Sequence, residues 1–173
     1  HHEVPRSDAE QAIRLVRQHA SEWGVNPQQI GIMGASAGGH LAASVATLHS
    51  DASVRPDFQV LFYPVVSMQK GITHNGSRTA LITEDASEEL EQLYSLEQQV
   101  NAQTPPAFIM LSADDKSVIP QNSIDYFLAL RKHGVSATMH IYPEGGHGWG
   151  FRDSFVYKSQ WTNELTKWLQ QLH

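Results

Sequence analysis

The chain has 173 residues, 40% hydrophobic and 17% charged, which is the balance of one soluble globular domain and excludes a disordered or fibrous polymer. Its formal net charge is -6 with Lys and Arg scattered, which argues against a nucleic-acid or anionic-membrane partner, and no apolar run is long enough to span a bilayer. There is no cysteine, so disulfides, thiolate metal sites and a cysteine nucleophile are excluded, while the compartment stays open.

In chain order, Ser7 with Glu10 reads as a capping box opening a helix. Ala9, Ala12, Ile13, Val16 and Ala20 form its apolar face, Arg14 and Arg17 point elsewhere, and Gly24 with Asn26-Pro27 ends it. Ile30 to Met33 reads as a buried strand and Gly38 to His49 as a helix of small residues. Phe58 to Tyr63 is the next strand, stopped by Pro64. The stretch of about 65–106 is an irregular, polar, cap-like insert with one short helix, Ser87 to Tyr94. Ala107 to Leu111 is a strand, Pro120 to His133 a helix with Ile124, Phe127, Leu128 and Leu130 inward, and Ala137 to Tyr142 a strand. The last helix runs from Ser154 to Leu172 with Trp161, Leu165, Trp168 and Leu172 on one stripe. Strands alternating with helices predict a single α/β domain over 1–173, with a mainly parallel sheet covered on both faces.

The chemistry concentrates in Gly34-Ala35-Ser36-Ala37-Gly38, a G-x-S-x-G motif between a short strand and a helix. A strand that turns at once into a helix strains the residue at the turn and lifts its hydroxyl clear of the backbone. Glycines two positions before and after are expected to let the two segments pass closely. The helix N-terminus then offers backbone N–H groups to an oxyanion, Ala37 first. A serine nucleophile needs a base, and the base an orienting acid. His147 lies in the glycine-flanked segment Glu144-Gly145-Gly146-His147-Gly148 after a late strand. Asp114 and Asp115 follow the Ala107–Leu111 strand. All these groups fall at the carboxyl edge of the sheet, where ligand sites of parallel α/β sheets form.

Other histidines carry weaker signals. His40 either lines the site or packs structurally, His140 reads as a sheet residue, and His49 and His133 as helix-end residues. His74 in the insert is a candidate for substrate contact, and Trp149, two residues after His147, either stacks on a sugar or packs its loop. No metal-ligand spacing is present and no cofactor is implied.

Gly34 to Ala42, Gly-Ala-Ser-Ala-Gly-Gly-His-Leu-Ala, resembles the elbow of bacterial acetyl-xylan-esterase-like α/β hydrolases, relatives of the hormone-sensitive-lipase esterases. The resemblance extends to Asp8-Ala9 with Ala12-Ile13-Arg14, to Ala113-Asp114-Asp115 with Val118, Pro120 and Asn122-Ser123, and to Pro143 through Gly148. It implies a three-layer α/β/α sandwich and a Ser-His-Asp esterase releasing short acyl groups, acetyl above all, from carbohydrates. By residue it implies Ser36 as nucleophile, His147 as base and Asp115 as acid, Asp115 standing three before Val118 with Asp114 as the alternative. The insert segment Thr73-His74-Asn75-Gly76-Ser77-Arg78 also looks familial, with no role attached. One departure stands out: the family's Gly-rich loop carrying the second oxyanion donor, and the strands around it, have no counterpart before Ser36. The chain is therefore expected to be a partial hydrolase domain lacking the N-terminal strands. A peptidase on the same scaffold and a non-catalytic fragment remain as alternatives.

Overall fold

Four strands lie parallel in the order β1-β2-β3-β4: β1 (Gly31–Ala35), β2 (Phe58–Phe62), β3 (Ala107–Ser112) and β4 (Ala137–Tyr142). The computed structural model describes residues 2–172. The helices are α1 (Val4–Gln18), α2 (Ala20–Trp23), α3 (Ala37–Leu48), α4 (Asn75–Ile82), α5 (Glu88–Tyr94), α6 (Gln121–Lys132) and α7 (Lys158–Gln170), with a 3-10 turn at Leu96–Gln98.

Side chains alternate across each strand, so the sheet has two different faces. On one face Phe58 and Phe108 pack their rings 6.0 and 5.4 Å from Trp168, and Phe62 packs 5.1 Å from Trp161, all against α7. On the other face α1 packs on α3, α3 on β1 and β2, and α6 on β3 and β4. This makes the three-layer sandwich. Gln59 is fully buried there, and its amide is matched at both ends: it donates to the Pro105 carbonyl (3.0 Å) and accepts from the Tyr126 hydroxyl (3.0 Å). β3 is buried along its whole length, as a strand covered on both faces and paired on both edges must be.

β1 differs from the expectation of a buried strand. Its outer edge has no strand partner among the described residues, and Met33 is 53% exposed. The helices also differ at their ends. α1 starts at Val4 with Pro5 in its first turn, a position where proline's missing N–H costs nothing. The Ser7–Glu10 capping box therefore does not form. Glu10 is buried instead and its carboxylate accepts from Ser50 N (3.1 Å) and Ser50 Oγ (2.7 Å) just beyond α3. The helix breaks at His19, and the short α2 closes on Gly24 in the left-handed region. Ile13, Val16 and Ala9 pack against Ile30 and Val45 as expected, but Ala12 is exposed. Arg17 is recruited inward: it donates to the carbonyls of Pro27, Ser53 and Arg55 and to Asp57 (3.1 Å), which ties α1 to the segments leading into β1 and β2.

In α6 the fully buried apolar residues are Tyr126 and Leu130, while Leu128 is exposed, because the helix turns its Asn122–Ser123 end inward. α7 begins at Lys158, four residues later than its periodicity suggests. The 65–106 stretch holds two helices and not one. α4 is capped by His74, whose Nδ1 accepts from Ser77 N (3.2 Å), a cap that residue preferences do not flag. Inside this stretch Arg78 is buried and donates to the carbonyls of Met68, Thr83 and Glu84 and to Glu91 (3.0 Å), so one guanidinium holds α4, α5 and their link together.

Candidate active site

Between β1 and α3 stands a single residue, Ser36, with φ 56° and ψ -121°. Holding a side-chain-bearing residue there costs on the order of 1–3 kcal/mol, so the surroundings must impose it. They do so through the backbone. Ser36 N donates to Phe62 O (3.0 Å), and Ser36 O accepts from Val65 N (3.0 Å) and His40 N (3.2 Å). The chain also passes itself very closely. A Cβ on Gly34 would fall 2.0 Å from the Gly38 carbonyl oxygen, and one on Gly39 would fall 2.7 Å from Pro64 Cβ. Gly38 itself has open space where a Cβ would go. The second sterically required glycine is thus Gly39, one position later than the motif suggests.

Ser36 Oγ is 2.8 Å from His147 Nε2, and His147 Nδ1 is 2.6 Å from Asp115 Oδ2. The Asp115 side chain is fully buried. Its other oxygen accepts from Ser117 N (2.9 Å) and Val118 N (3.0 Å), so both oxygens of the carboxylate are matched. Asp114 does not reach the imidazole. It accepts instead from Gly145 N (3.3 Å) and Gly146 N (2.8 Å), and these backbone donors, Gly146 first, hold its carboxyl below the usual range. Asp114 therefore ties down the loop that carries His147. The loop needs glycine at 145, where φ is 141° and a Cβ would strike the Phe155 ring at 2.5 Å and Ser112 Oγ at 2.8 Å. Ala37 opens α3 at the surface, and the first turn of a helix leaves its N–H groups without intrahelical acceptors.

The remaining candidates fall elsewhere. His40 is buried beside the elbow, its Nε2 2.9 Å from Tyr94 O, and burial pushes its imidazole down to about 4. It is a neutral group outside the Ser36–His147–Asp115 row, and it forms part of the wall of the cavity beside the first turn of α3. His74 is occupied in capping α4. His49 and His133 sit at the C-terminal caps of α3 and α6, and His140 packs 5.0 Å from Phe108 within the sheet. Of the two readings of Trp149, packing within its loop is the one the structure shows. It is 3% exposed, stacks on Phe155 at 4.0 Å, and donates from Nε1 to Ser112 Oγ (2.8 Å), so no ring face is free for a sugar. A cavity of about 380 Å³ adjoins the first turn of α3, with Ala37, Gly38, Leu41, Met68, Leu81 and Tyr94 among its walls. Tyr63 was not marked by the sequence pattern, yet its ring lies 4.7 Å from that of His147; its only sequence signal is the Tyr63-Pro64 stop after β2.

Residues 2–151 match the family described as alpha/beta hydrolase fold. The chain belongs to the α/β-hydrolase family. An acetylxylan esterase of Xylanibacter ruminicola is 39% identical over 173 residues, covering 98% of this chain and 36% of its own length. An endo-1,4-beta-xylanase B of Butyrivibrio fibrisolvens is 33% identical over 157 residues, covering 85% of this chain and 25% of its own length. The chain thus spans about a third of the length of the first curated relative and a quarter of the second. Among solved structures, an acetyl ester-xyloside bifunctional hydrolase from Caldicellulosiruptor lactoaceticus superposes with a TM-score of 0.89 at 39% identity, over 95% of this chain and 64% of that one. A sugar hydrolase from Lactococcus lactis superposes at 0.81 with 29% identity, over 95% of this chain and 67% of that one.

Proposed function

We propose that this chain carries the nucleophile, base and acid of a serine esterase that removes short acyl groups, acetyl in particular, from carbohydrates. The observation that supports it most is the continuous row Ser36 Oγ, His147 Nε2, His147 Nδ1, Asp115, at 2.8 and 2.6 Å, on an elbow whose backbone is strained at the serine alone. The identity of 39% to a protein named acetylxylan esterase supports the carbohydrate ester as substrate class.

In this reading His147 Nε2 takes the Ser36 proton as Oγ attacks the ester carbonyl carbon. Asp115 accepts from Nδ1–H, which fixes the tautomer and stabilises the imidazolium. The carbonyl oxygen becomes an oxyanion, and the Ala37 N–H at the start of α3 donates to it. The tetrahedral intermediate collapses, the C–O bond to the sugar breaks, and His147 returns its proton to the sugar oxygen. Water then attacks the acyl-enzyme with His147 again as base. Carboxylic acid leaves, and Ser36 regains its proton. No cofactor enters any step.

The test is a fluorophosphonate probe applied to the full-length protein. Ser36 should carry the label, and Ser36→Ala should lose both label and several orders of magnitude in kcat on a small acetyl ester. Label on another serine, with Ser36→Ala still active, would sink the assignment. Cleavage of the matching amide as fast as the acetyl ester would point instead to a peptidase.

A further inference from the structure

Tyr63 follows β2 with φ 33°, the left-handed region that a tyrosine adopts only under constraint. The constraint comes from both neighbours. Tyr63 N donates to Met110 O (2.6 Å) in β3. Phe62 O and Val65 N, on either side, are the partners of Ser36 N and Ser36 O, and Pro64 fills the gap that Gly39 leaves. The turn carrying Tyr63 is therefore fastened to the backbone of the elbow itself.

Its side chain reaches the other way. Tyr63 is 4% exposed, and its ring stands 4.7 Å from the His147 ring at 61°, and 5.0 Å from that of Trp149 at 77°. The hydroxyl lies against Gly150, where an added Cβ would be 3.4 Å from it. One side chain thus touches positions 147, 149 and 150 of the histidine loop while its backbone is locked to Ser36. The hydrogen bonds to Asp115 and Ser36 lie roughly on a line through the imidazole and leave the ring free to roll about that line. A packed aromatic beside it removes that freedom.

We infer that Tyr63 is a positioning residue for His147, its ring setting the imidazole against Ser36 from a turn fastened to the elbow. This rests on the esterase reading above, which the Ser36→Ala experiment tests separately. In the full-length protein, Tyr63→Phe keeps the ring and should retain kcat for a small acetyl ester within about threefold, with KM unchanged. Tyr63→Leu should lower kcat tenfold to a hundredfold at unchanged KM, and slow fluorophosphonate labelling of Ser36 in proportion. Tyr63→Met, which keeps the bulk without the ring, is the companion variant if the Leu protein does not fold, and should behave as Leu is expected to. A Leu or Met variant with parental kcat and labelling rate overturns the inference. So does a Phe variant as impaired as they are, because the ring is then not what acts. If Ser36→Ala remains active, the esterase reading fails whatever Tyr63 does.

Discussion

Asp114 and Asp115 are consecutive, yet they hold different parts of one loop: Asp115 accepts from His147 Nδ1 (2.6 Å), and Asp114 accepts from the amides of Gly145 and Gly146. A carboxylate that fixes the imidazole tautomer cannot be replaced by an amide without presenting the wrong hydrogen-bonding face. Asp115→Asn should therefore reduce kcat about 10⁴-fold. Asp114→Asn keeps an oxygen for the glycine amides and should cost less than about tenfold. Steady-state kinetics on the two variants decide it; a larger loss for Asp114→Asn would reverse the assignment.

The two glycines of the motif should respond differently to alanine. Gly34→Ala forces a Cβ to 2.0 Å from backbone that cannot move without unseating α3, and should destabilise by about 3 kcal/mol or more. Gly38→Ala meets open space within a helix and should be neutral or stabilising by about 0.5–1 kcal/mol. Urea unfolding of both variants measures the difference. Equal destabilisation would refute the steric account.

His40 gives the fold a pH dependence. Burial lowers its folded-state value to about 4 from 6.5, so the unfolded chain binds the extra proton between those limits. Its contribution is complete above pH 6.5 and is lost progressively as pH falls toward 4, by on the order of 3 kcal/mol. His40→Gln keeps a donor for the Tyr94 carbonyl and removes the ionisation. The stability of the parent should fall more steeply than that of His40→Gln over this window, and parallel curves would contradict the assignment.

The outer edge of β1 bears on how the 173-residue chain behaves when produced alone. Met33 is 53% exposed there, and the strand presents N–H and C=O groups without a strand partner among the described residues. Such an edge invites pairing between copies. Sedimentation should show association of the isolated chain and relief by Met33→Lys. A monodisperse parent would show that the edge is not the adhesive surface.

How much of this was readable beforehand follows from the range of the forces involved. The four strands, the α/β alternation and the candidates Ser36, His147 and the Asp114–Asp115 pair were legible because each carries a local signal. A covered parallel strand is a short apolar run, and an elbow or histidine loop needs small residues at fixed offsets. The choice between Asp114 and Asp115 rested on the resemblance to a family motif, and the distances favour the same residue. Helix boundaries were less legible. Glu10 satisfies a capping pattern but finds better donors on Ser50, forty positions on, and His74 caps α4 although histidine is not a residue from which caps are read.

Sequence alone determined the sheet's composition and marked Ser36, His147 and the Asp114–Asp115 pair as candidates, since periodicity and turn chemistry depend on neighbours within a few positions. Only the tertiary structure decided which contacts those residues make. Trp149 left the substrate's side for a stack on Phe155, Gly39 and not Gly38 met Pro64, Arg17 and Arg78 turned inward, and Tyr63 came to rest on His147. Each outcome is a competition for buried volume or for buried hydrogen-bond partners between segments far apart in the chain. That competition has no local pattern from which it can be read.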